Sequence, residues 1–225
     1  MFYGITFALI LFSYCMQLVG DIPFCHNLRQ TAAIAGKERI YRDAYGSYVA
    51  ETPFSWQEVT QKLVTKSAQF GRTVEGLKVY RRYMNGIKKE WKSIDSYCKH
   101  RYLKYPYSIQ TENGKMIKYV KDDAISPVKS GMVLERNNYP YHLSPGIGHY
   151  VVWSVRNQSM ATYQKFVNER FPSNAYDVIV FENMEESKSV KSVVHVHAFV
   201  RTKKLNLCSL RTHLVSRNYY YFLLL

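Results

Sequence analysis

The sequence predicts an α+β fold, in which N-terminal helices precede a mainly antiparallel sheet with one inserted helix. Between residues 53 and 105, apolar side chains recur at three- and four-residue steps, the spacing of amphipathic helices. From Met116 onward, short apolar runs alternate with turn-forming residues, a pattern typical of strands. The chain has 225 residues, of which 47% are apolar, so it can bury a core and is not a disordered protein.

Three helices are predicted before the sheet. Ser55 and Glu58 have the spacing of a capping box, and the helix that they begin extends to about Phe70. Ser93 is placed to cap a short third helix, which Pro106 ends. Between these two, a single apolar stripe predicts a second helix that packs on the core, formed by Leu77, Tyr80, Met84, Ile87 and Trp91.

The second half of the chain is predicted to form one sheet. Its strands are the apolar runs Met116–Val120, Met132–Glu135, His149–Ser154, Asp177–Glu182 and Val193–Arg201. Between the third and fourth runs, helical spacing from Ser159 to Phe171 predicts the inserted helix, which Pro172 ends.

The domain organisation follows from these patterns. A single α+β domain is predicted over residues 53–212, and residues 21–52, which show no sustained period, are interpreted as a lead-in or linker. Residues 1–20 form a hydrophobic segment, interpreted as a signal peptide or membrane anchor, or alternatively as a buried strand or an upstream extension. The apolar tail, residues 213–225, either pairs as a last strand or is exposed.

The charge balance predicts an anionic partner. Lys and Arg number 31 and Asp and Glu 17, a net charge of +14, which favours nucleotides, sugar phosphates, nucleic acid or acidic membrane. Much of this charge is interleaved with tyrosines between Lys62 and Lys129, a pattern that suits a nucleic-acid stacking surface but also an ordinary solvated helix face. The four cysteines lack metal-binding spacing and are interpreted as reduced and structural.

The strongest candidate site is a His-x-His strand. Strand alternation puts His195, His197 and Phe199 on one face and the intervening valines and alanine on the other, which is assigned to the core. Two such imidazoles can hold a metal together with His149 or His142, or one can attack an electrophile while the other orients it. Alternatively, they are exposed strand histidines without a function.

Two further segments supply polar side chains. An aromatic turn segment runs from Asn137 to His142, and His149 begins the strand that follows it. The loop before the His-x-His strand carries an amide, a hydroxyl and two lysines that could hold a phosphate, namely Asn183, Ser192, Lys188 and Lys191.

These segments resemble the two signature blocks of the fungal N-acetylglucosamine-induced protein family. The first block is Asn137-Asn138-Tyr139-Pro140-Tyr141 with 148–153, and the second is Phe181-Glu182-Asn183 with 191–197; the resemblance covers roughly residues 53–201. It implies a cytoplasmic protein linked to the N-acetylglucosamine response, with no established reaction. A signal function for residues 1–20 would instead imply the secretory pathway.

The second block is also distantly similar to the active-site strand of the histidine-triad superfamily of nucleotide hydrolases and nucleotidyltransferases. That similarity implies a histidine-triad-like sheet, with His197 as the catalytic nucleophile and His195 as its orienting partner. It implies phosphate-binding roles for Ser192, Asn183, Lys191 and Lys188, and a nucleotide pocket shaped by Asn138, Tyr139, Pro140 and His149. Phe199 stands where the third histidine of that superfamily belongs, and it cannot donate a hydrogen bond to phosphate.

Two functions therefore remain open. The chain is either a phosphate-directed hydrolase or transferase acting on a nucleotide or sugar phosphate, or a non-catalytic protein that binds nucleotide or nucleic acid. A small anionic ligand is the expected partner, no cofactor is predicted, and contact with a membrane is expected only if residues 1–20 are retained.

Overall fold

The computed structural model describes residues 39–65 and 69–203. Those from Ile40 onward belong to one compact unit. The helices are α1 (Trp56–Val64), α2 (Val74–Glu90), α3 (Ile94–Leu103) and α4 (Met160–Arg170), and a short 3-10 helix spans Glu185–Ser187. The strands are β1 (Ile40–Arg42), β2 (Tyr48–Ala50), β3 (Ser108–Glu112), β4 (Lys115–Tyr119), β5 (Met132–Arg136), β6 (Ile147–Ser154), β7 (Tyr176–Phe181) and β8 (His195–Thr202).

The main sheet is antiparallel throughout and has the strand order β5-β6-β8-β7. Strand β8 is therefore a central strand. Its register places Trp153 of β6 opposite His195, and His149 opposite Phe199. Because residues directly opposite each other in a ladder share a face, the histidine face of β8 continues across β6. The predicted α+β class, with helices before an antiparallel sheet and one inserted helix, is confirmed.

Both faces of the main sheet are covered. Helix α4 packs Tyr163 and Val167 against Val196 and Ala198, which confirms that the valine face of β8 belongs to the core. The histidine face is covered as well, by an aromatic cluster that includes Phe54, Phe70, Tyr141, Phe181 and Phe199. The interpretation of His195 and His197 as exposed strand residues is therefore wrong, since both side chains are buried.

The predicted helix starts are confirmed at their caps. Ser55 and Glu58 form both hydrogen bonds of the capping box at the start of α1. The hydroxyls of Ser93 and Ser159 accept backbone N–H groups at the starts of α3 and α4. Helix α1 ends at Val64, earlier than predicted, and Phe70 lies outside it as a buried core residue.

A hairpin of β1 and β2 lies within residues 21–52, where the sequence predicts a lead-in or linker. Val49 and Ala50 are buried, so the folded region begins before the predicted start at Pro53. The next connection packs back onto this hairpin, because Ala50 N donates to the carbonyl of Arg72 at 2.9 Å. A Cβ added at Gly71 would lie 2.5 Å from Ala50 N, so only glycine permits this approach.

The first predicted strand, Met116–Val120, is present as β4 but does not join the main sheet. It pairs instead with β3, which the sequence prediction missed, and together they form a separate two-stranded hairpin. Asn113 and Gly114 connect the strands with positive φ angles of 49° and 75°, the conformation of a tight hairpin turn. The short, solvated β3 lacks the apolar content that would mark it as a strand in the sequence.

Some predictions lie outside the described residues, including the hydrophobic segment 1–20, the tail 213–225 and three of the four cysteines. The remaining cysteine, Cys98, is a buried free thiol, as the structural interpretation predicts. None of the helices within 39–65 and 69–203 has both the length and the apolar character needed to cross a membrane.

Two glycines allow a matched test of the packing around the hairpin. Gly71→Ala should destabilise the protein by about 1–3 kcal/mol, since the added methyl group meets backbone atoms that cannot move independently. Gly86→Ala, within α2 where the added Cβ meets nothing within 4 Å, should stabilise it by about 0.5–1 kcal/mol. Urea denaturation measures both free energies of unfolding. Equal effects of the two substitutions would contradict the described approach of Gly71 to β2.

Candidate functional site

A cavity of about 320 Å³ lies between the histidine face of the sheet, helices α2 and α3, and the β7–β8 loop. Its wall is rich in aromatic rings, with eight tyrosines, namely Tyr45, Tyr48, Tyr80, Tyr83, Tyr97, Tyr102, Tyr139 and Tyr141. The size and the mixture of rings with a few polar groups are typical of small-molecule sites.

The charges on the cavity wall are all positive. Among the described residues that line the cavity, Arg42, Arg72 and Lys188 carry charge and none is acidic. Lys188 is neutralised by its neighbours, with its Nζ 2.7 Å from Glu182 and 2.9 Å from Glu185. The two arginines form no ion pair with a described carboxylate, so they hold the uncompensated charge of the cavity.

Arg72 is the more deeply placed of the two arginines. Its guanidinium lies 4.1 Å from the centroid of the Tyr80 ring and 5.2 Å from that of Tyr141. Its Nε donates to the carbonyl of Tyr139 at 3.0 Å, whereas its terminal nitrogens have no hydrogen-bond partner in the described part of the chain. A guanidinium held in this way is preorganised for a phosphate or carboxylate, which it can bind through two parallel hydrogen bonds.

His195 begins β8 and lines the cavity. Its ring stacks on Trp153 with centroids 5.1 Å apart, and Trp153 in turn stacks on Tyr102 at 4.2 Å. Its Nδ1 lies 2.8 Å from the carbonyl of Val193 and must carry a proton to bind it, so in the neutral ring Nε2 keeps a lone pair. No described residue forms a hydrogen bond with that Nε2. Burial lowers the pKa of His195, which favours this neutral state.

His197 differs from His195 because both of its ring nitrogens are engaged. Its Nδ1 lies 2.9 Å from Nε2 of His149, and its Nε2 lies 2.9 Å from the side-chain amide of Asn183. The same amide lies 2.8 Å from the hydroxyl of Tyr141, and the backbone N–H of Tyr141 donates to Nδ1 of His149 at 3.2 Å. Burial lowers the pKa of both histidines well below the usual value, so both rings are neutral.

The structure brings together some of the residues that the sequence predicted for the site. His195, His197, Asn183, Lys188 and Tyr139 line the cavity. His149 reaches it through His197, and it also stacks on Tyr141. His142 lies apart, with its Nδ1 2.9 Å from the carbonyl of Ala50.

Five residues predicted for the phosphate site or the pocket do not line the cavity: Asn138, Pro140, Lys191, Ser192, and His149, which contacts it only through His197. The side chain of Lys191 contacts Glu185, and the backbone N–H groups of Lys191 and Ser192 both donate to the carboxylate of Asp95. This part of the loop is therefore tied to the start of α3 and faces solvent.

Arg72 and Tyr141 are the residues that sequence reasoning missed. Arg72 is a single cation in an irregular segment and shows no periodic signal. Tyr141 falls within the first signature block, so the block was the signal that could have found it. Tyr80 was assigned to the core side of its helix, and that side forms a wall of the cavity.

The tyrosines of the basic helices point inward. Tyr83 stacks on Tyr139 with ring centroids 4.6 Å apart, and its hydroxyl bonds that of Tyr97 at 2.7 Å. These tyrosines of α2 and α3 therefore line the cavity, whereas Tyr107, in the same basic region, is exposed. Burial raises the pKa of Tyr102 to about 12, so its hydroxyl is protonated at neutral pH.

The alternative of a metal site has no support in this geometry. Within residues 39–65 and 69–203, no cluster of three or more His, Cys, Asp or Glu side chains is arranged to hold a metal ion. His149 and His197 face each other through a hydrogen bond, which occupies the nitrogens that would point at a shared ion.

The fold and the site define an α+β protein with a cationic, tyrosine-lined cavity beside a buried pair of histidines. Residues 55–201 match a family model described as Protein of unknown function (DUF3605), and the chain belongs to that family. The predicted membership of an uncharacterised family is consistent with this match. No curated protein matches the chain.

One solved structure is similar to the chain. Described as Crystal Structure of HTC1, it is 16% identical, with 66% of this chain and 85% of that chain covered and a TM-score of 0.44. A similarity of this size carries no conclusion about the chain.

The neutral histidines predict a loss of stability in mild acid. The unfolded chain takes up protons near its ordinary histidine pKa of about 6.5, whereas folded His149 and His197 do not. Their contribution is therefore fully present above that pH and is lost as the pH falls below it. Each histidine should lower the free energy of unfolding by about 1.4 kcal/mol per pH unit.

Urea denaturation between pH 7.5 and 5.5 measures this slope. His149→Gln should remove about one third of it, because one of the three buried histidines with a lowered pKa is gone. A flat wild-type profile, or an unchanged slope in the variant, would contradict the assignment of these rings as neutral.

Proposed function

We propose that the protein binds a small phosphate-bearing molecule, a nucleotide or a sugar phosphate, in the tyrosine-lined cavity. The observation that carries this proposal is the uncompensated guanidinium of Arg72, stacked on Tyr80 and Tyr141 inside a cavity with no acidic lining residue among those described. Arg72 is partly buried and has no carboxylate partner among the described residues, so its guanidinium is available to bind an anion. The aromatic wall offers faces on which a base or sugar ring can pack.

We further propose that His195 is the group that acts on the bound molecule. Its Nε2 carries the lone pair and the residue lines the same cavity, whereas Nε2 of His197 is held by Asn183. In this step Nε2 of His195 attacks phosphorus, the bond to the leaving oxygen breaks, and the electron pair departs with that oxygen. Water or a second substrate then displaces the imidazole.

This assignment changes the roles that the histidine-triad similarity implied, in which His197 attacks and His195 orients. Phe199, the position of the missing third histidine, is fully buried against Phe70 and Tyr141 and offers no polar group. A phosphate-directed hydrolase or transferase therefore depends on His195 and Arg72 in this proposal. The resemblance to a family linked to the N-acetylglucosamine response is the reason to include sugar phosphates of that amino sugar in the ligand panel.

Binding is tested by titration calorimetry with nucleoside mono- and diphosphates, UDP-N-acetylglucosamine and N-acetylglucosamine 6-phosphate. Arg72→Gln should weaken binding of the recognised compound by about 10- to 100-fold, since a hydrogen bond to a charged group is lost. Lys191→Gln is the matched control, because it removes a cation that the sequence predicted for the phosphate site but that lies outside the cavity. Equal losses in both variants, or no binding by the wild type, would contradict the proposed site.

Turnover is tested with the same compound by phosphorus NMR. His195→Gln should keep the affinity within a few-fold and abolish product formation, because the lone pair that attacks is gone. Binding without turnover in the wild type would instead support the alternative function, a non-catalytic nucleotide-binding protein.

A further inference from the structure

Four polar groups beside the cavity form a continuous chain of hydrogen bonds. It runs from the backbone N–H of Tyr141 to His149, from His149 to His197, and from His197 to the side-chain amide of Asn183. The proposed chemistry at His195 uses none of these links. All four residues are buried, with Tyr141 the most exposed at 9%. Such a chain must run with one polarity, because each neutral imidazole has one donor and one acceptor.

The backbone fixes this polarity. The N–H of Tyr141 can only donate, and it lies 3.2 Å from Nδ1 of His149, so that nitrogen carries no proton. In the neutral ring the proton is then on Nε2, which donates to Nδ1 of His197 at 2.9 Å. By the same reasoning the proton of His197 is on its Nε2, and it is donated to Asn183.

The opposite polarity is unfavourable. It would place a protonated Nδ1 of His149 against the N–H of Tyr141 and leave a buried backbone donor without an acceptor. The amide nitrogen of Asn137 lies 3.4 Å from both ring nitrogens of His149, so the assignment rests on the N–H of Tyr141.

The orientation of the Asn183 amide follows. One amide atom, placed as Nδ2, lies 2.9 Å from Nε2 of His197 and 2.8 Å from the hydroxyl of Tyr141. Oxygen and nitrogen of an amide have the same shape, so the hydrogen-bond network decides between them. Because Nε2 of His197 donates, the atom that faces it is the oxygen, which also accepts from the Tyr141 hydroxyl.

We infer that His149 and His197 are positioning residues that turn the amide nitrogen of Asn183 toward the cavity as a hydrogen-bond donor. Asn183 lines the cavity, and its second amide atom has no hydrogen-bond partner in the described part of the chain. This inference rests on the proposed function for its ligand. The cavity then offers an anionic ligand two sets of hydrogen-bond donors, the guanidinium of Arg72 and the amide of Asn183. Both favour ligands with oxygen acceptors such as phosphoryl oxygens.

The polarity is measured directly on the ligand-free full chain by proton–nitrogen NMR of the histidine rings at pH 7.5, with single His→Gln variants to assign the signals. Both His149 and His197 are expected to be protonated at Nε2 and unprotonated at Nδ1. A proton on Nδ1 of His197 would overturn the inference. This result does not depend on any ligand, so it is separable from a failure of the proposed function.

His149→Phe tests the positioning role. The phenyl ring can keep the stack on Tyr141, now at 4.7 Å between centroids, but it cannot donate to His197. The proton of His197 is then expected to divide between both nitrogens. An unchanged His197 tautomer in a folded His149→Phe variant would show that His149 does not position it.

Asn183→Asp tests the donor itself with an isosteric side chain. The carboxylate still accepts from His197 and Tyr141, but it presents an oxygen to the cavity in place of the amide nitrogen. Affinity for the compound recognised in the calorimetric panel, or for inorganic phosphate, is expected to fall at least tenfold while the His197 tautomer is retained. Undiminished affinity with the tautomer retained would overturn the donor role.

Discussion

The burial of β8 on both faces is the constraint on which the site depends. A central strand covered by α4 on one side and by aromatic rings on the other leaves its polar side chains largely buried. Histidines on such a strand must be neutral and hydrogen-bonded. His197 meets this requirement through His149 and Asn183, and His195 through the carbonyl of Val193, which leaves one lone pair toward the cavity.

The two signature blocks of the sequence meet in this network. Tyr141 and His149 come from the first block and Asn183 and His197 from the second, and they lie on β6, β8 and the adjoining loops. The antiparallel register of β6 and β8 sets the distance between the two imidazoles. The two blocks therefore supply the members of one buried hydrogen-bond network, and the cavity lies beside this network.

The cation of the cavity comes from a different part of the chain. Arg72 follows a glycine that allows the backbone to approach β2, and its side chain lies between the rings of Tyr80 and Tyr141. Both rings contact the guanidinium, and its terminal nitrogens have no hydrogen-bond partner within residues 39–65 and 69–203. The arrangement combines a cation with an aromatic wall, and the proposed binding of a phosphorylated ring compound rests on these two features.

Local signals predicted much of the fold. Capping boxes and apolar periods are short-range patterns, so α1, α2, α3 and α4 and the four strands of the main sheet could be read from the sequence. The hairpin of β1 and β2 could not, because its strands have three residues each and gain their burial from the distant segment at Gly71.

The site residues on β8 could be predicted from strand alternation. The residues whose place in the site depends on tertiary contacts could not. His195, His197 and Asn183 could be placed from one strand and its preceding loop. The separation of Lys191 from the cavity depends on its contacts with Asp95 and Glu185, which no local pattern reveals. Arg72 is placed in the cavity by its contacts with the rings of Tyr80 and Tyr141. These rings come from helix α2 and from the first signature block, which are distant from Arg72 or lack a pattern that includes it.

The central claim, that the cavity receives a phosphate-bearing molecule at Arg72, is tested most directly by following the Arg72 side-chain Nε–H resonance during titration with nucleotides and sugar phosphates. A saturable shift of this resonance, together with those of the Tyr80 and Tyr141 rings, is the predicted result. Shifts confined to the exposed lysines of α2 and α3, with the Arg72 resonance unmoved, would contradict it.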